Sequence, residues 1–508
     1  MEAGVNLLDV AAYLSECSIP VRGVNGASVC VHGVTQDSRR VAEGDLYIAL
    51  PGTRTDGCRY IGDAARAGAR AVLSAPGVDA CGLPALWAED PLRAAGPCAA
   101  FVFGQPAAAM DLIGVTGTNG KTSVSYLLES ILRAAGRNAG VLGTIVERCA
   151  AFERHARLTT QVATEIQRSL ASMRRAGVDS VVLEVSSHAL VQHRVGGCRF
   201  AAGVFTNLTR DHLDYHRDED DYFAAKTRLF REYLDPVAGI AVLNDEDARV
   251  ASLAPVVKRA DVWTYSTAPD SHARVTAQAV CANIDGMLIE LRNDGDSIRL
   301  RTPLVGQINV SNIAAAAATA LGLGIDIETV AAGTAACRPV PGRLERIGRT
   351  TPAVIVDYAH TPDALARTLV SLAMYVEGRL IVVFGCGGDR DRGKRALMGA
   401  AAAELADVVI ATSDNPRSED PEAILDDVEP ALAAGMRKLD GAALESASVR
   451  GYLRCCDRAE AIRTAVAAAS PSDIVLVAGK GHEDYQEING VRHPLDDRRI
   501  VAELVSAG

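Results

Sequence analysis

Short apolar runs alternate with longer amphipathic stretches along most of the 508-residue chain. The strand-like runs of its middle part are LIGV at 112–115, SVVLEV at 180–185, GVFTN at 203–207 and GIAVLN at 239–244. After the first run, apolar residues recur on one helical face: Val124, Leu127, Leu128, Ile131 and Leu132. Gly136 follows where such a helix would end. This alternation predicts a mostly parallel sheet with helices on both faces.

The same pattern divides the chain into three units, 1–104, 105–337 and 338–508. The first has a strand-like and then a helical stretch, TQDSRRVAEGDLYIAL and YIGDAARAGARAVL, and FGQPAA at 103–108 is typical of a linker. The third has four more strand-like runs: AVIVDY, RLIVVFG, DVVIATS and DIVLVAG. A chain of this length is expected to form about three domains. We therefore predict an α/β protein of three domains.

Composition and charge exclude some classes of partner. The formal net charge is -11, with 48% hydrophobic and 23% charged residues, as in soluble globular proteins. The acidic balance argues against nucleic acid or an anionic membrane as partner, whereas phosphate ligands remain compatible with it. The chain shows no signal peptide and no apolar run long enough to span a membrane. Twelve scattered cysteines without a C-x-x-C pair indicate reduced thiols in the cytoplasm.

A glycine-rich segment, LIGVTGTNGKTSVSYLL, joins the first central strand to its helix. Gly114, Gly117 and Gly120 precede Lys121 and Thr122, an order typical of phosphate-binding loops. In such loops the amides face phosphate oxygens, the lysine binds the β- and γ-phosphates, and the threonine hydroxyl binds Mg²⁺. The spacing departs from G-x-x-x-x-G-K-T because a valine occupies the first glycine position. The alternative is a plain strand-to-helix turn, and the loop alone fits a motor, a kinase, a GTPase or a ligase.

Polar residues follow the next two strands. Glu184 ends a strand in LEVSSHALVQHRV, and a carboxylate there is a natural Mg²⁺ ligand. His212, in FTNLTRDHLDYH, is equally compatible with a metal ligand and a hydrogen-bonded structural histidine. Lys226, in YFAAKTRLF, fits an exposed helical lysine on the local pattern alone.

In the third unit each strand ends in a loop rich in glycine, proline or charge. Ligands of open α/β sheets bind at the carboxyl ends of strands, so we expect GCGGDRDRGKR, SDNPR and GKGHE to line one rim. Pro416 fixes the backbone of the turn that carries Asp414, Asn415 and Arg417. This turn is suited to holding one small molecule.

Ten segments in this order make the chain resemble the Mur ligase family over nearly its whole length. They are DSR with GDLYIAL, GVTGTNGKTS, EVSSHALVQHRV, FTNLTRDHLDYH, YFAAKTRLF, VPGRLE, VDYAHTPDAL, GCGGDRDRGKR, SDNPR and GKGHE. The resemblance implies a smaller UDP-binding N-terminal α/β domain, a central P-loop-type ATPase domain and a C-terminal Rossmann-like domain that binds an amino acid. It also implies a cytoplasmic monomer.

The implied activity is an amide ligation in peptidoglycan precursor synthesis that uses ATP and Mg²⁺. ATP phosphorylates the side-chain carboxylate of the D-glutamate in UDP-N-acetylmuramoyl-L-alanyl-D-glutamate. The amine of a diamino acid then attacks the acyl phosphate. Mg²⁺, the lysine and the loop amides offset the repulsion between the two reacting anions.

The resemblance also assigns residues to ligands. The residues assigned to the triphosphate are Gly114, Val115, Thr116, Gly117, Thr118, Asn119, Gly120, Lys121 and Thr122. The residues assigned to the rest of ATP are Asn309, Arg343, Asp357 and His360. Ser38 is assigned to the UDP part of the substrate. The residues assigned to its muramoyl-dipeptide part are Thr159, Thr160, Ser186, Gln192 and Arg194. The catalytic residues are Lys121, Glu184, His212 and Lys226, and the metal ligands are Thr122, Glu184, His212 and Lys226 as a carbamate. The residues assigned to the diamino acid are Arg390, Asp414, Asn415, Pro416, Arg417, Gly479 and Glu483.

The identity of the diamino acid depends on Arg417. Arginine pairs bidentately with a carboxylate, and meso-diaminopimelate carries a second carboxylate that L-lysine and L-ornithine lack. Arg417 therefore favours meso-diaminopimelate, with the other two as alternatives. A surface ion pair with Glu419 or Asp420 is the competing interpretation of this arginine.

Two departures from the family pattern weaken parts of this assignment. TTQ replaces Thr-Thr-Pro at 159–161, and an aromatic residue is missing before Asn309. The more distant alternatives are a folylpolyglutamate synthase-like ligase, which lacks the N-terminal unit, a P-loop switch or motor, and a nucleotide-binding module without catalysis.

Overall fold

The structure is a computed structural model that describes residues 4–23, 29–52, 55–257, 260–446 and 449–507. Within these ranges each of the three units has its own main sheet, of five, eleven and six strands. None of the described helices combines the length and apolarity that a bilayer crossing demands. The predicted α/β class with three mostly parallel sheets is confirmed, and the boundaries at 104 and 337 stay predictions.

The N-terminal unit is a five-stranded sheet covered by helices. Its strands are β1 (Val5–Asn6), β2 (Val21–Arg22), β3 (Cys30–Val31), β4 (Gly33–Thr35), β5 (Asp45–Ile48), β6 (Ala71–Ser74) and β7 (Ala85–Ala88). Its helices are α1 (Leu7–Glu16), α2 (Ile61–Arg66) and α3 (Pro91–Val102), with 3₁₀ turns at Ser38–Arg40 and Gly57–Tyr60. A further 3₁₀ turn, Pro106–Ala109, leads into the central unit. The order is β2-β7-β6-β5-β4, parallel except for β2, and β1 pairs separately with β3.

The central unit has the largest sheet. Its strands are β8 (Asp111–Thr116), β9 (Ala139–Leu142), β10 (Val146–Cys149), β11 (Phe152–His155), β12 (Ser180–Glu184), β13 (Ala202–Phe205), β14 (Ile240–Asn244), β15 (Asp261–Ser266), β16 (Val275–Asn283), β17 (Gly286–Asn293) and β18 (Asp296–Thr302). Its helices are α4 (Lys121–Ala134), α5 (Ala163–Arg175), α6 (Ser187–Val191), α7 (Glu219–Arg228), α8 (Ala248–Ala251), α9 (Gln307–Gly322) and α10 (Ile327–Ala336), and α7 continues into a π-helical turn, Leu229–Tyr233.

β8 lies in the parallel core of this sheet, between β12 and β13, so the loops after these three strands open at one edge. The apolar face of α4 is fully buried, as its spacing predicts, and Gly136 has φ +75° just past the helix end. Small residues allow the neighbouring helices to approach α4 closely. A Cβ on Gly333 of α10 would lie 2.4 Å from Ile131 Cα.

The C-terminal unit is a Rossmann-like arrangement of helices and mostly parallel strands. Its strands are β19 (Glu345–Arg346), β20 (Ala353–Asp357), β21 (Leu380–Cys386), β22 (Val408–Ser413), β23 (Gly451–Arg454), β24 (Ile474–Ala478), β25 (Tyr485–Ile488) and β26 (Val491–Pro494). Its helices are α11 (Pro362–Ala373), α12 (Gly393–Leu405), α13 (Pro421–Gly435), α14 (Arg458–Ala468) and α15 (Asp497–Ala507), with a 3₁₀ turn at Ala442–Glu445. The main sheet has the order β19-β20-β24-β21-β22-β23.

Candidate functional site

Two cavities lie where the central and C-terminal units meet. The phosphate-loop cavity, lined by residues 118–122 among others, encloses about 1260 Å³ that includes space open to solvent. The C-terminal cavity, lined by Arg390 and Arg417 among others, encloses about 870 Å³ on the same measure. Both are lined by Asp211, His212, Tyr358 and His360, so the two spaces adjoin.

The glycines of the phosphate loop are required by its geometry. Gly117 has φ +142°, and a Cβ there would lie 1.9 Å from Thr206 Oγ1. Gly120 has φ +87° and directly precedes α4. The cavity is lined by residues 118–122, whereas 114–116 are buried residues of β8 and lie outside the lining.

Lys121 and Lys226 converge on one backbone oxygen. Each Nζ donates to the carbonyl of Gly117 across 2.8 Å. Lys226 is only 1% exposed, so the local expectation of an exposed helical lysine is wrong; its ammonium packs 4.5 Å from the Tyr222 ring centroid. Burial, and then the charge of Lys121, lowers the pKa of Lys226 well below its ordinary value. Burial also lowers the pKa of Lys121.

Glu184 is the buried carboxylate of this cavity. It accepts hydrogen bonds from Thr122 Oγ1 at 3.0 Å, from Thr144 Oγ1 at 2.8 Å and from the Thr144 amide at 2.9 Å. Neighbouring ligands of an octahedral Mg²⁺ with bonds of about 2.1 Å stand about 3.0 Å apart, so Thr122 and Glu184 fit two such positions. No three His, Cys, Asp or Glu side chains of the described residues form a metal cluster. Further ligands of this ion would include phosphate oxygens and water.

His212 lies at the junction of the two cavities with a left-handed backbone, φ +56°. Its Nε2 is 3.5 Å from Asp211 Oδ2, and its ring meets that of His188 edge to face. Burial lowers the pKa of His212 to about 3, which leaves the imidazole neutral at pH 7. A neutral ring is the form that binds metal ions. Asp211 also forms an ion pair with Lys394 of the C-terminal unit.

Four residues assigned to the rest of ATP also line the phosphate-loop cavity: Asn309, Arg343, Asp357 and His360. Arg343 stacks over the ring of Tyr358 at 4.2 Å and donates to Thr122 Oγ1 across 3.4 Å. Asp357 accepts from the amides of Leu344 and Ala359, while burial raises its pKa.

Two of these residues also have intramolecular hydrogen bonds. Asn309 donates to Val305 O at 2.9 Å, and His360 Nδ1 donates to Tyr358 O at 2.7 Å. Ile308, which stands where the family pattern has an aromatic residue, lines this cavity as well.

The residues assigned to the muramoyl-dipeptide form one hydrogen-bonded group. Thr160 Oγ1 donates to Glu184 O at 2.8 Å and lies 3.2 Å from Ser186 Oγ. Arg194 donates to Thr160 O at 2.7 Å and to Gln192 Oε1. These bonds fix the TTQ segment without the proline. Thr159 lies 3.2 Å from Thr144 Oγ1 and lines the phosphate-loop cavity. Ser38 begins the 3₁₀ turn after β4 and lines neither cavity.

The C-terminal cavity brings together six of the seven residues assigned to the diamino acid: Arg390, Asp414, Asn415, Arg417, Gly479 and Glu483. Pro416 lies outside its lining but shapes the turn, since a Cβ on Gly388 would meet Pro416 O at 1.9 Å. Arg417 donates to Gly388 O at 2.7 Å and forms no ion pair within the described ranges. The two carboxylates considered as surface ion-pair partners of Arg417 have other contacts. Glu419 pairs with Arg395, and Asp420 caps α13.

Sequence reasoning missed four residues here. Lys480 is fully buried and donates to Asn415 Oδ1 and Glu483 Oε2 at 3.1 and 3.0 Å. The other three also contact assigned residues. Thr144 contacts Glu184, Tyr358 contacts Arg343, and Lys394 contacts Asp211. Three of the four stand in segments that carry the family resemblance: Lys480, Tyr358 and Lys394. Their position beside an assigned residue was therefore the sequence signal that could have found them. Thr144 stands in no quoted segment.

Three family models match the chain. The Mur ligase family catalytic domain matches residues 30–80, the Mur ligase middle domain 115–320, and the Mur ligase glutamate ligase domain 342–481. Together they span the three units of the fold.

Individual proteins match over greater lengths. A UDP-N-acetylmuramoyl-L-alanyl-D-glutamate–2,6-diaminopimelate ligase of Gloeobacter violaceus is 43% identical over 95% of each chain. A solved structure of a ligase with the same name has a TM-score of 0.68 at 32% identity, over 99% of each chain. The folylpolyglutamate synthase of Mycobacterium tuberculosis has a TM-score of 0.59 at 21% identity and covers 76% of this chain, which shows a shared fold alone. The chain therefore belongs to the Mur ligase family.

Proposed function

We propose that the protein is the cytoplasmic, monomeric ligase that joins meso-diaminopimelate to UDP-N-acetylmuramoyl-L-alanyl-D-glutamate at the expense of ATP. Relatives that are 42–43% identical to this chain carry this activity in their names. The γ-phosphoryl group passes from ATP to the side-chain carboxylate of D-glutamate, and the amine of the diamino acid displaces phosphate to form the amide.

The phosphate-loop cavity suits the first step. Residues 114–122 form the strand end, the loop and the helix start that hold the triphosphate, with backbone amides and Lys121 facing its oxygens. Thr122 and Glu184 would hold one Mg²⁺, and neutral His212 would lie near a second. Bound Mg²⁺ would supply positive charge against the transferring phosphoryl group. Asn309, Arg343, Asp357 and His360 frame the nucleotide. Ser38 holds the UDP part.

Lys226 acts as a carbamate in this proposal. Carbamylation requires the neutral amine, because a protonated amine has no lone pair to attack CO₂. Lys226 is buried beside Lys121 and forms no ion pair with a carboxylate of the described residues, which favours that neutral form. The carbamate would replace a buried cation by an anion next to Lys121 and provide an oxygen ligand for Mg²⁺. Thr159, Thr160, Ser186, Gln192 and Arg194 orient the acceptor beside it.

The observation that supports meso-diaminopimelate most directly is the environment of Arg417. Its guanidinium lines the C-terminal cavity, has no ion-pair partner in the described residues, and uses one donor on Gly388 O. It is therefore available to a ligand carboxylate. Asp414 and Glu483 line the same cavity and suit the adjacent ammonium group. Cation and carboxylates together match the second amino-acid head group of meso-diaminopimelate, which lysine and ornithine do not have.

Phosphate release from ATP with UDP-N-acetylmuramoyl-L-alanyl-D-glutamate tests the proposal. meso-Diaminopimelate, L-lysine and L-ornithine are compared with wild type, Arg417→Ala and the control Arg492→Ala on exposed β26. We expect turnover with meso-diaminopimelate alone, and a loss of about a hundredfold in kcat/KM for Arg417→Ala only, as truncating one partner of a buried charge pair costs. Equal turnover with lysine, or an unaffected Arg417→Ala, would refute the assignment of the diamino acid. Phosphate release that needs neither acceptor nor amino acid would point to a switch ATPase.

A further inference from the structure

Two charged segments face each other between the central and C-terminal units and form three ion pairs. On the central side are Arg210, Asp211 and Asp214, and on the C-terminal side are Arg390, Asp391 and Lys394. They pair one to one: Arg210 with Asp391 at 3.4 Å, Asp214 with Arg390 at 3.9 Å, and Asp211 with Lys394.

The Asp211–Lys394 pair differs from the other two in burial. Its side chains are 8% and 14% exposed, whereas Arg210 and Arg390 are 49% and 58% exposed. Exposed pairs contribute little, but a buried pair in low dielectric is strongly coupled and costly to break. Among the three, the Asp211–Lys394 pair therefore fixes the distance between the two units.

The segment that carries Lys394 is also tied to the amino-acid turn. Ser418 Oγ donates to Asp389 Oδ1 at 2.8 Å, and the Asp389 amide donates to Glu419 Oε1 at 2.6 Å. Arg395 donates to the same Glu419 oxygen at 2.8 Å. Residues 389–395 are thus fastened to the loop after Arg417 on one side and to Asp211 on the other.

Asp211 in turn shapes the segment that carries His212. The His212 amide donates to Asp211 Oδ1 at 2.8 Å, and the His212 carbonyl accepts from the amides of Tyr215 and His216 at 3.1 and 2.9 Å. This short turn lines both cavities through Asp211 and His212. A shift of Lys394 would reach it directly.

We propose that Lys394 is a positioning residue that, through its ion pair with Asp211, holds the amino-acid turn in register with the phosphate-loop cavity. The inference rests on the proposed function, since it assigns the two cavities to the two halves of one reaction. Lys394 acts on the alignment of the amine with the acyl phosphate. Misplacement of about 1 Å between reacting groups lowers rates by about a hundredfold.

Lys394→Met, Lys394→Arg and the control Arg392→Met test this by steady-state kinetics. Arg392 stands two residues before Lys394, but it is 67% exposed, and its ion pairs among the described residues are with Glu419 and Asp427 of its own unit. We expect Lys394→Met to lower kcat at least about tenfold with the KM for diaminopimelate within about threefold, because the binding residues stay in place. Lys394→Arg should recover most of the rate. Arg392→Met should stay within about twofold of wild type.

Raised KM at unchanged kcat would overturn the proposal, because Lys394 would then bind the amino acid directly. An Arg392→Met as impaired as Lys394→Met would overturn it as well, since any cation of the loop would then serve. A wild type without turnover would refute the proposed function separately.

Hydrogen–deuterium exchange of the free protein tests the link without any substrate. We expect the amides of His212, Tyr215 and His216 to exchange faster in Lys394→Met and unchanged in Arg392→Met. Unchanged exchange in Lys394→Met would contradict the inference whatever the reaction catalysed.

Discussion

Lys121 Nζ and Lys226 Nζ donate to the same carbonyl oxygen of Gly117, each across 2.8 Å. Two buried ammonium groups on one neutral acceptor repel each other, and no carboxylate in the described residues pairs with either. The arrangement is relieved when Lys226 loses its proton or its charge. Lys226 lines neither cavity, but its Nζ lies on the phosphate loop, and this environment favours its chemical modification.

Lys226 should carry CO₂ in the working enzyme. With ¹³C-bicarbonate, we expect a carbamate carbon signal in wild type and in the control Lys438→Ala, whose lysine is exposed and paired with Glu429. The signal should vanish in Lys226→Ala, together with at least about 99% of the activity, since a metal ligand is lost. CO₂-depleted wild type should regain activity on addition of bicarbonate. A fully active protein without the carbamate signal would contradict this role.

Thr144 should tune the carboxylate of Glu184. Its hydroxyl and amide hold both oxygens of that carboxylate. Thr144→Val removes the hydroxyl donor and keeps the size, so we expect the Mg²⁺ concentration for half-maximal activity to rise about tenfold, as for other residues that orient metal ligands. Thr144→Ser retains the donor and serves as the control. Mg²⁺ titration of phosphate release measures both, and identical curves for Val and wild type would count against the role.

The fully buried pair Arg458–Asp497 should carry stability of the C-terminal unit. Arg458 Nε and Nη2 donate to the Asp497 carboxylate at 2.8 and 2.7 Å, and Nη2 also donates to Ala478 O. Arg458→Met leaves a buried carboxylate unpaired and should lower the free energy of unfolding by about 3 kcal/mol. Arg463→Met on the exposed face of the same helix should cost less than about 0.5 kcal/mol. Urea unfolding measures both, and equal losses would contradict the prediction.

Asp473 should make this unit sensitive to acid. Burial alone would raise its pKa, but hydrogen bonds from the Arg379 guanidinium and amide and from Ser470 hold the pKa below its ordinary value. Because the pKa of Asp473 is lower in the folded than in the unfolded protein, its ionised carboxylate stabilises the fold at pH values above the unfolded pKa. This stabilisation is lost as the pH falls through the folded pKa. Asp473→Asn should therefore cost about 2 kcal/mol at pH 7, and less below about pH 4.

Urea unfolding at several pH values, with exposed Asp270→Asn as the control, checks this expectation. A constant difference between wild type and Asp473→Asn from pH 7 to 3 would contradict it.

Local patterns were sufficient for the fold and for the loops that carry the site. Apolar runs located β8, β12 and β13, and strand ends bring Lys121, Glu184 and His212 to one edge because parallel strands all point the same way. The same patterns misplaced Lys226. Its neighbours in sequence look like those of a surface helix, and its burial depends on β8 and the loop after it, about 110 residues earlier.

The pairs between units could not be found in the sequence either. Asp211 and Lys394 are separated by 183 residues, and their contact depends on how two separately folded sheets dock. Thr144 has no pattern of its own, since a threonine after a strand is ordinary, and only the position of Glu184 on the neighbouring strand gives it a role. Arg417 was identified because a rigid proline turn exposes its chemistry locally.

A competition assay tests the proposed reaction most directly. Purified protein receives ATP, Mg²⁺, UDP-N-acetylmuramoyl-L-alanyl-D-glutamate and equal concentrations of meso-diaminopimelate, L-lysine and L-ornithine, and mass spectrometry identifies the nucleotide product. We predict a single new product whose mass corresponds to the addition of diaminopimelate with loss of water. A product that contains lysine or ornithine would contradict the assigned role of Arg417, and recovery of the unmodified nucleotide alone would contradict the ligase itself.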